Sequence, residues 1–450
     1  MKKQTLNKFI FIILLSILIG CNHKNQKSKE TGVDFSEFIT SVSKSTYKDF
    51  QGKSDVKIAD EKSFLEMKNY ILTRYKDVHV KQSFAGIDGQ IVDCVPIEEQ
   101  PASKLHGNIK LDIQLKAPAF SKSAKISEEK NSQKLPENNK YADITLHKGI
   151  KDRFGNEMYC PDGFIPIKRI TLETLSHYKT LNNFFGKVGI NLKHGEVPAP
   201  YGDGYDHNHV IGRQDVDNAG GDSWLNVWNP SVSPGVMSLS QQWFTGGSGA
   251  NLQTIEGGWQ VEPGMYSTNN ACLFIYSTNA NYSSGSGGYN LDNGAFIQIS
   301  NQVYLAAPFD HYSETNGGQW GFNLQWKRNT DGNWWLFYKG PSDYIAVGYY
   351  PKSFYGTGQL SNFAQRTDFG GEVAGSPKEG QMGSGAQASQ GWQKAAYQNR
   401  IFYILKDNIE VSAWSNLTKF EENSSCYTGD LNNIYGNWGT YLFFGGNNCN

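Results

Sequence analysis

Two glutamates in the C-terminal half of the chain have surroundings typical of acid–base groups. Glu256 lies in segment 254–259 and Glu372 in segment 368–373, each beside glycines and an aromatic residue in an apolar, strand-like stretch. Burying a carboxylate is costly unless it is paired or protonated, so two such sites predict carboxylates that face each other across a cleft. A facing pair shares one proton, which lets one member activate water while the other protonates a leaving group.

Other residues with catalytic potential are few. Only three histidines, His207, His209 and His311, lie after residue 200. That part of the chain also has no GxSxG motif, so a serine or cysteine nucleophile with a histidine partner is disfavoured. His207 and His209 have the spacing of metal ligands on one face of a strand. We interpret this segment as a solvated loop, and we expect no metal site and no cofactor.

The composition of the chain changes near residue 200. Residues 1–200 carry 31 basic and 23 acidic residues, whereas residues 201–450 carry 11 basic residues, 20 acidic residues and all 11 tryptophans. The basic excess is spread through Lys-rich linkers without interleaved aromatic residues, so we expect no nucleic-acid partner. The opposite net charges suggest that the first part covers the second, and that protonation of carboxylates below about pH 5 weakens this contact.

The N-terminus has the pattern of an exported lipoprotein. Lysines precede a short apolar run at 9–19, which is too short for a permanent membrane span, and the run ends at Gly20 and Cys21 in a sequence that resembles a bacterial lipobox. Residues 1–20 are therefore predicted to be a signal peptide. Cys21 is predicted to carry a lipid that anchors the exported protein to a bacterial membrane, on its periplasmic or cell-surface face, and residues 21–35 to be a flexible tether.

Two folding patterns follow along the chain. In residues 36–197 the spacing of apolar residues predicts a small α+β domain, with helices at 60–75 and 171–188, strands at 91–97 and 109–115, and a linker at 122–140. In residues 198–450, many short apolar runs separated by Gly, Asn and Ser predict an antiparallel β-sandwich of the jelly-roll or concanavalin type. The fold class is therefore mainly β.

Six motifs, in order, resemble the neprosin family of glutamic peptidases, which is best known from plants. These motifs span residues 226–230, 238–241, 254–259, 347–351, 369–373 and 382–385. The ending at 438–449 is also similar to the end of this family, and segments 88–95 and 160–169 resemble its activation peptide. The resemblance implies a β-sandwich peptidase domain preceded by a propeptide.

The resemblance also assigns roles to particular residues. It implies that Glu256 and Glu372 are the catalytic glutamates, and we expect Gln241 to polarise the scissile carbonyl. We expect Trp259 and Tyr349 to bind the substrate. The cysteines implied to pair are Cys426 with Cys449, and Cys94 with Cys160, which leaves Cys272 as the unpaired thiol.

The expected function is that of a monomeric, lipid-anchored zymogen of an endopeptidase that acts at acid pH. Its partners are a polypeptide substrate, its own propeptide and, through the lipid alone, a membrane. Segment 276–278 reads Tyr-Ser-Thr where plant members commonly read Tyr-Trp-Thr, so cleavage after proline stays open. Two alternatives also stay open: a glycoside hydrolase in which Glu256 and Glu262 share a strand face, and a non-catalytic surface module that binds peptide or glycan.

Overall fold

A computed structural model describes residues 34–107, 109–119, 139–187, 207–233, 235–375, 380–407, 410–412, 417–434 and 438–447. The predicted signal peptide, the lipidation site Cys21, Cys449 and the domain boundary predicted at 197–198 lie outside these residues, as does most of the predicted linker at 122–140. Among the helices described, none has both the length and the apolar character that a membrane crossing requires.

The N-terminal half combines short helices with a small sheet. Its helices are α1 (Phe35–Lys44), α2 (Glu61–Arg74), α3 (Pro101–Lys104), α4 (Leu172–Ser176) and α5 (Leu181–Phe185), and its strands are β1 (Gln82–Ala85), β2 (Ile91–Pro96), β3 (Asn139–Tyr141) and β4 (Phe164–Lys168). Strands β1, β2 and β4 form an antiparallel sheet in this order. The side chain of Asp60 caps α2 by accepting a hydrogen bond from the backbone of Ser63, so this helix begins where the sequence predicts it.

Two predicted elements of this half were wrong. The helix predicted at 171–188 is interrupted after Ser176, and the side chain of Thr180 caps a new helix by accepting from the backbone of Asn183. The strand predicted at 109–115 does not form among the described residues, where the segment is irregular. Leu111 and Ile113 are partly buried, but Ile109 and Leu115 are 49% and 60% exposed, so the segment as a whole buries little apolar surface.

The C-terminal half is built from β-strands, as predicted. The elements are β5 (His207–Asn226), β6 (Met237–Gly246), β7 (Gln253–Val261), α6 (Pro263–Tyr266), β8 (Cys272–Thr278), β9 (Gly287–Tyr289), β10 (Ile297–Gln298), β11 (Gln319–Arg328), β12 (Trp334–Lys339), β13 (Ile345–Tyr350), β14 (Ala364–Ala374), β15 (Ala396–Leu405), β16 (Glu410–Ser412), β17 (Thr418–Glu421), β18 (Tyr427–Ile434) and β19 (Gly439–Gly446).

These strands form one large curled sheet, antiparallel except where β3 joins it. Its main path runs β10-β13-β12-β11-β5-β14-β6-β7-β8-β9. The long strand β5 connects its two parts, because its first half pairs with β14 and β17 and its second half pairs with β11 and β15. The mainly β, sandwich-like fold class is therefore confirmed, with the two layers continuous through β5.

The two faces of the central strands have different roles. Ile255, Trp259 and Val261 of β7 point into the large apolar core, whereas Glu256 points to the opposite face, since alternate residues of a strand face opposite sides. On that opposite face a separate apolar cluster, which includes Trp243 and Tyr276, surrounds the glutamate. The central strands therefore carry the site on one face and the core on the other.

The N-terminal half is bound firmly to the large sheet. Strand β3 pairs in parallel with residues 319–321 of β11, and one apolar core contains residues of both halves. A buried ion pair adds to this contact, with Arg74 Nη2 lying 3.5 Å from Asp292 Oδ1. The hydroxyl of Tyr178 also donates to Glu262 at 3.3 Å. The two halves therefore form one packed unit.

Candidate active site

Three adjacent strands bring the predicted site residues together. Glu372 lies on β14, Gln241 on β6 and Glu256 on β7, and β6 is hydrogen-bonded to both of its neighbours. Glu372 is paired with Leu239, and Glu256 is paired with Trp243, which places both carboxylates on the face that Gln241 shares. The two glutamates and Gln241 have no exposed surface, so they form one buried polar group.

Glu256 is held by neutral donors and by one cation. Its Oε1 accepts hydrogen bonds from the hydroxyls of Thr254 and Tyr282, each at 2.8 Å. Its Oε2 accepts from the side-chain amide of Gln241 at 2.9 Å and from the ammonium of Lys187 at 2.8 Å. The amide of Gln241 and the ammonium of Lys187 thus bind the same oxygen of Glu256.

Glu372 has a more cationic environment than Glu256. Lys187 Nζ lies 3.0 Å from its Oε2, and His207 Nδ1 lies 2.6 Å from its Oε1. The Nε2 atom of His209 is 3.6 Å from Oε2. Burial alone would raise the pKa of Glu372, but Lys187 and the two imidazoles outweigh this effect and hold the pKa well below its usual range.

Lys187 is the residue that links the two carboxylates. It follows α5 in the N-terminal half, its side chain is 4% exposed, and its ammonium lies 5.5 Å from the ring centroid of Trp243. Burial would lower the pKa of Lys187, but Glu256 and Glu372 raise it, so the amine is kept as a cation. The two glutamate Oε2 atoms are no more than about 6 Å apart, with this ammonium between them.

The interpretation of His207 and His209 as part of a solvated loop was wrong. Both lie in β5, with side chains 5% and 2% exposed, because β5 extends along β14 and places His209 directly opposite Glu372. These two histidines and Glu372 place one ligand atom each within 4.8 Å of one another, which is within reach of a small cation. In this structure both imidazoles lie against Glu372, which also pairs with Lys187.

Two residues expected to bind substrate lie elsewhere. Trp259 is fully buried on the core face, where its Nε1 donates to the backbone of Asn226 at 2.9 Å. Tyr349 packs on Trp335, and its hydroxyl accepts from the backbone of Gln114 at 3.0 Å, away from the glutamates. Trp259 is part of the core because it is an odd number of residues from Glu256 along the same strand.

Glu262, the proposed glycosidase partner of Glu256, has contacts of its own. It accepts hydrogen bonds from Tyr178 and from Gln260, the latter at 2.6 Å. Burial raises the pKa of Glu262 to about 7. The carboxylate across the site from Glu256 is that of Glu372 on β14, not that of Glu262. The described site is therefore built from two different strands.

The cysteines outside the site have separate structural roles. Cys94 of β2 and Cys160 form a disulfide with an S–S distance of 2.00 Å. Cys426 is disulfide-bonded as well, and its predicted partner Cys449 lies outside the described residues. Cys272 is a buried free thiol, and burial raises its pKa well above the usual value.

Sequence reasoning missed Lys187, His207 and His209 as members of the site. A single lysine in a Lys-rich N-terminal half has no pattern that sets it apart. The His-x-His spacing was visible, and it would have indicated a buried strand if 207–226 had been read as one continuous strand. The long β5 is interrupted in sequence by polar residues and glycines, which hide its length.

The sheet sets two buried glutamates on either side of an amide donor, and these are groups suited to acid–base hydrolysis. Residues 234–447, just under half of the chain, match the family model described as Neprosin. The chain is thus a peptidase of the glutamic class.

Two solved structures to which the chain is similar have low sequence identity and low TM-scores. One is scytalido-glutamic peptidase with a peptide-based transition-state analogue, at 10% identity and a TM-score of 0.29, covering 54% of this chain and 100% of that one. Another is SCP-B, a member of the eqolisin family of peptidases, in a complex with the tripeptide Ala-Ile-His, at 9% identity and a TM-score of 0.28, covering 54% of this chain and 98% of that one.

Proposed function

We propose that the chain is the latent precursor of an exported, lipid-anchored endopeptidase that cleaves polypeptides in acid. The single observation that carries this proposal is the position of Lys187, whose ammonium lies between the catalytic glutamates. Water that attacks a peptide must lie within hydrogen-bond reach of its general base, in the place that this ammonium fills. The N-terminal half therefore acts as a propeptide, and lipidation at Cys21 would tether the precursor.

The surroundings of the two glutamates suggest different roles for them. Lys187 contacts both glutamates, but only Glu372 also contacts two imidazoles, and an imidazolium only donates hydrogen bonds, so these contacts favour the ionised form of Glu372. Glu256 contacts the hydroxyls of Thr254 and Tyr282, and a hydroxyl can also accept a hydrogen bond, so these contacts persist when Glu256 carries a proton. We assign Glu372 as the general base and Glu256 as the general acid.

The reaction follows from these roles. After Lys187 leaves, Glu372 removes a proton from a water molecule, and the water oxygen forms a bond to the carbonyl carbon of the peptide. The side-chain amide of Gln241 donates to the oxygen that gains negative charge. Glu256 then gives its proton to the leaving nitrogen as the C–N bond breaks, which releases an amine and a carboxylic acid.

The experiment compares full-length Lys187→Met with the wild type and with Lys179→Met, across about pH 3 to 8. Lys179 is an exposed lysine of the same half, eight residues earlier, and serves as the matched control. We expect Lys187→Met to cut itself and a denatured protein substrate at a higher pH than the wild type, while Lys179→Met behaves as the wild type does.

Two further variants separate the outcomes. Glu256→Gln and Glu372→Gln should each abolish both cleavages; retained cleavage in either would refute the two-glutamate mechanism. If the glutamate variants are inactive but Lys187→Met processes with the same pH dependence as the wild type, the mechanism stands and the role of Lys187 in latency is wrong.

A further inference from the structure

We propose that His207 and His209, with Glu422 behind His209, are positioning residues that orient Glu372 and keep it ionised in the processed enzyme. This inference rests on the proposed peptidase function. It concerns the state that follows processing, when Lys187 has left with the propeptide and Glu372 must keep its charge in a buried site by other means.

The two histidines are placed to act together on one carboxylate. They are two residues apart on β5 and therefore share a face, and their rings are stacked with centroids 6.0 Å apart. His207 Nδ1 contacts one oxygen of Glu372 at 2.6 Å, while His209 Nε2 lies 3.6 Å from the other. Glu372 thus has an imidazole next to each of its oxygens.

Glu422 fixes His209 from the other side. Its Oε2 lies 2.6 Å from His209 Nδ1 and accepts the backbone N–H of His209 at 2.9 Å. The backbone of Glu422 donates in return to the carbonyl of His209 at 3.1 Å. Because His209 has a carboxylate next to each ring nitrogen, the arrangement suits an imidazolium with both nitrogens protonated.

The charges around His209 support this protonation state. Burial would lower the pKa of His209, but Glu372 and Glu422 raise it, and Asp368 adds a third carboxylate nearby. Among the described residues, Lys187 contacts the cluster, while Arg213 and Arg366 act on the neighbouring Asp368, and Arg213 Nε lies 3.0 Å from Asp368 Oδ1. Once Lys187 leaves, the two imidazoles are the groups able to carry positive charge that remain in contact with Glu372 among the described residues.

Loss of this charge would weaken the general base. A buried carboxylate without a cation takes up a proton, and a protonated Glu372 cannot remove a proton from water. Strand β5 pairs with β14 along ten residues, from Ala364 to Ala374 with one irregularity, so these histidines stay in place when the propeptide departs. The cluster therefore replaces Lys187 at Glu372 as the enzyme becomes active.

The test uses the full-length chain with the recognition sequence of an unrelated protease inserted between residues 188 and 206. Processing then does not depend on the activity of each variant. His209→Gln and Glu422→Gln are compared with His311→Gln, whose half-exposed imidazole pairs with Asp310 instead. Peptide cleavage is measured from about pH 2.5 to 8, and thermal unfolding of each variant is recorded as a check on folding.

We expect the acid limb of the kcat profile to move up by about one pH unit in His209→Gln and by less in Glu422→Gln. One unit means about tenfold less ionised base at pH values below the limb, so kcat falls there while KM changes by less than about twofold. His209→Lys, which restores a cation, should return the limb toward its wild-type position. His311→Gln should leave the profile unchanged.

Three outcomes would overturn the inference. One is a fall in kcat without movement of the acid limb, and another is an equal shift in His311→Gln. The third is wild-type activity that is lost with a chelator and regained with zinc, which would make the cluster a metal site. Failure of the proposed function is distinguishable, because Glu372→Gln would then remain active whatever the histidine variants do.

Discussion

Glu256 and Glu372 lie on the two strands that flank β6, and one buried ammonium is within 3.0 Å of both. Under the proposed function, this relationship places a residue of the propeptide where the reaction would take place. The proposal then makes latency depend on charge as well as on steric cover, because an apolar side chain of equal size would leave two carboxylates to repel each other.

The assignment of acid and base predicts different pH effects for the two glutamates. Glu372→Gln removes the base, so we expect kcat to fall by about three orders of magnitude at every pH. Glu256→Asp keeps a carboxyl group on a shorter side chain, so some activity should remain. The alkaline limb of its kcat–pH profile should change, whereas the acid limb, which reports the ionisation of Glu372, should not. Steady-state kinetics on a short peptide measures both. An altered acid limb in Glu256→Asp would reverse the assignment.

Close packing of β6 on β7 predicts that Gly258→Ala is inactive. A Cβ at Gly258 would lie 1.9 Å from the backbone oxygen of Ser240, so the strands that carry Gln241 and Glu256 must separate. Gly264→Ala is the matched control, since its Cβ would meet only the hydroxyl of Tyr178, at 3.8 Å. Peptide cleavage and thermal unfolding of both variants give the comparison; full activity in Gly258→Ala would contradict the register.

Propeptide retention is predicted to be strongest in a middle range of pH. The pKa of Glu372 is lowered by Lys187, so this contact is present above the usual pKa of 4.5 and is lost as the pH falls through the lowered value. Burial raises the pKa of Glu262 to about 7. The contribution of neutral Glu262 to the binding of the N-terminal half is therefore present below pH 4.5 and is lost as the pH rises through about 7.

Size-exclusion chromatography of the nicked, two-piece protein between about pH 3 and 9 measures this retention. We expect the pieces to co-elute in the middle of the range and to separate toward both ends. Glu262→Gln, which cannot ionise, should extend co-elution above pH 7. Separation on the alkaline side that is the same in wild type and Glu262→Gln would rule out this carboxyl as the cause.

The disulfide between Cys94 and Cys160 is predicted to stabilise the propeptide. It closes a loop with a sequence separation of 66 residues, for which chain entropy gives about 4 kcal/mol of stabilisation. Replacing both cysteines with alanine should lower the unfolding temperature of the N-terminal half and make it sensitive to a broad-specificity protease. Cys272→Ala removes a free thiol and should not reproduce this sensitivity.

The sequence predicted the glutamates because their motifs are local. Glu256 and Glu372 each sit among glycines that adjacent strands require, so the pattern is visible within a few residues. The position of Trp259 could have been predicted from strand alternation alone. By contrast, the role of Lys187 depends on contacts with residues 69 and 185 positions away in the chain, which no local pattern specifies.

The predicted helix at 171–188 shows a different limit. Apolar spacing continues through the whole segment, but the side chain of Thr180 accepts from the backbone of Asn183 and starts a second helix. Capping and helix continuation compete over a few residues, and the tertiary position of the following segment decides between them. That break precedes Lys187 by a short distance and sets the direction in which the chain enters the site.

Strand β3 of the N-terminal half is also a strand of the large sheet, which has a consequence for the proposed processing. Its three residues pair with 319–321 of β11, and Tyr397 donates to Asn139 at 2.8 Å. In the proposed processing, a cut after Lys187 would not break this pairing, so the N-terminal piece would remain a strand of the large sheet. Its later release would leave residues 319–321 of β11 with unpaired backbone groups, and such an edge is where another extended chain can add as a strand.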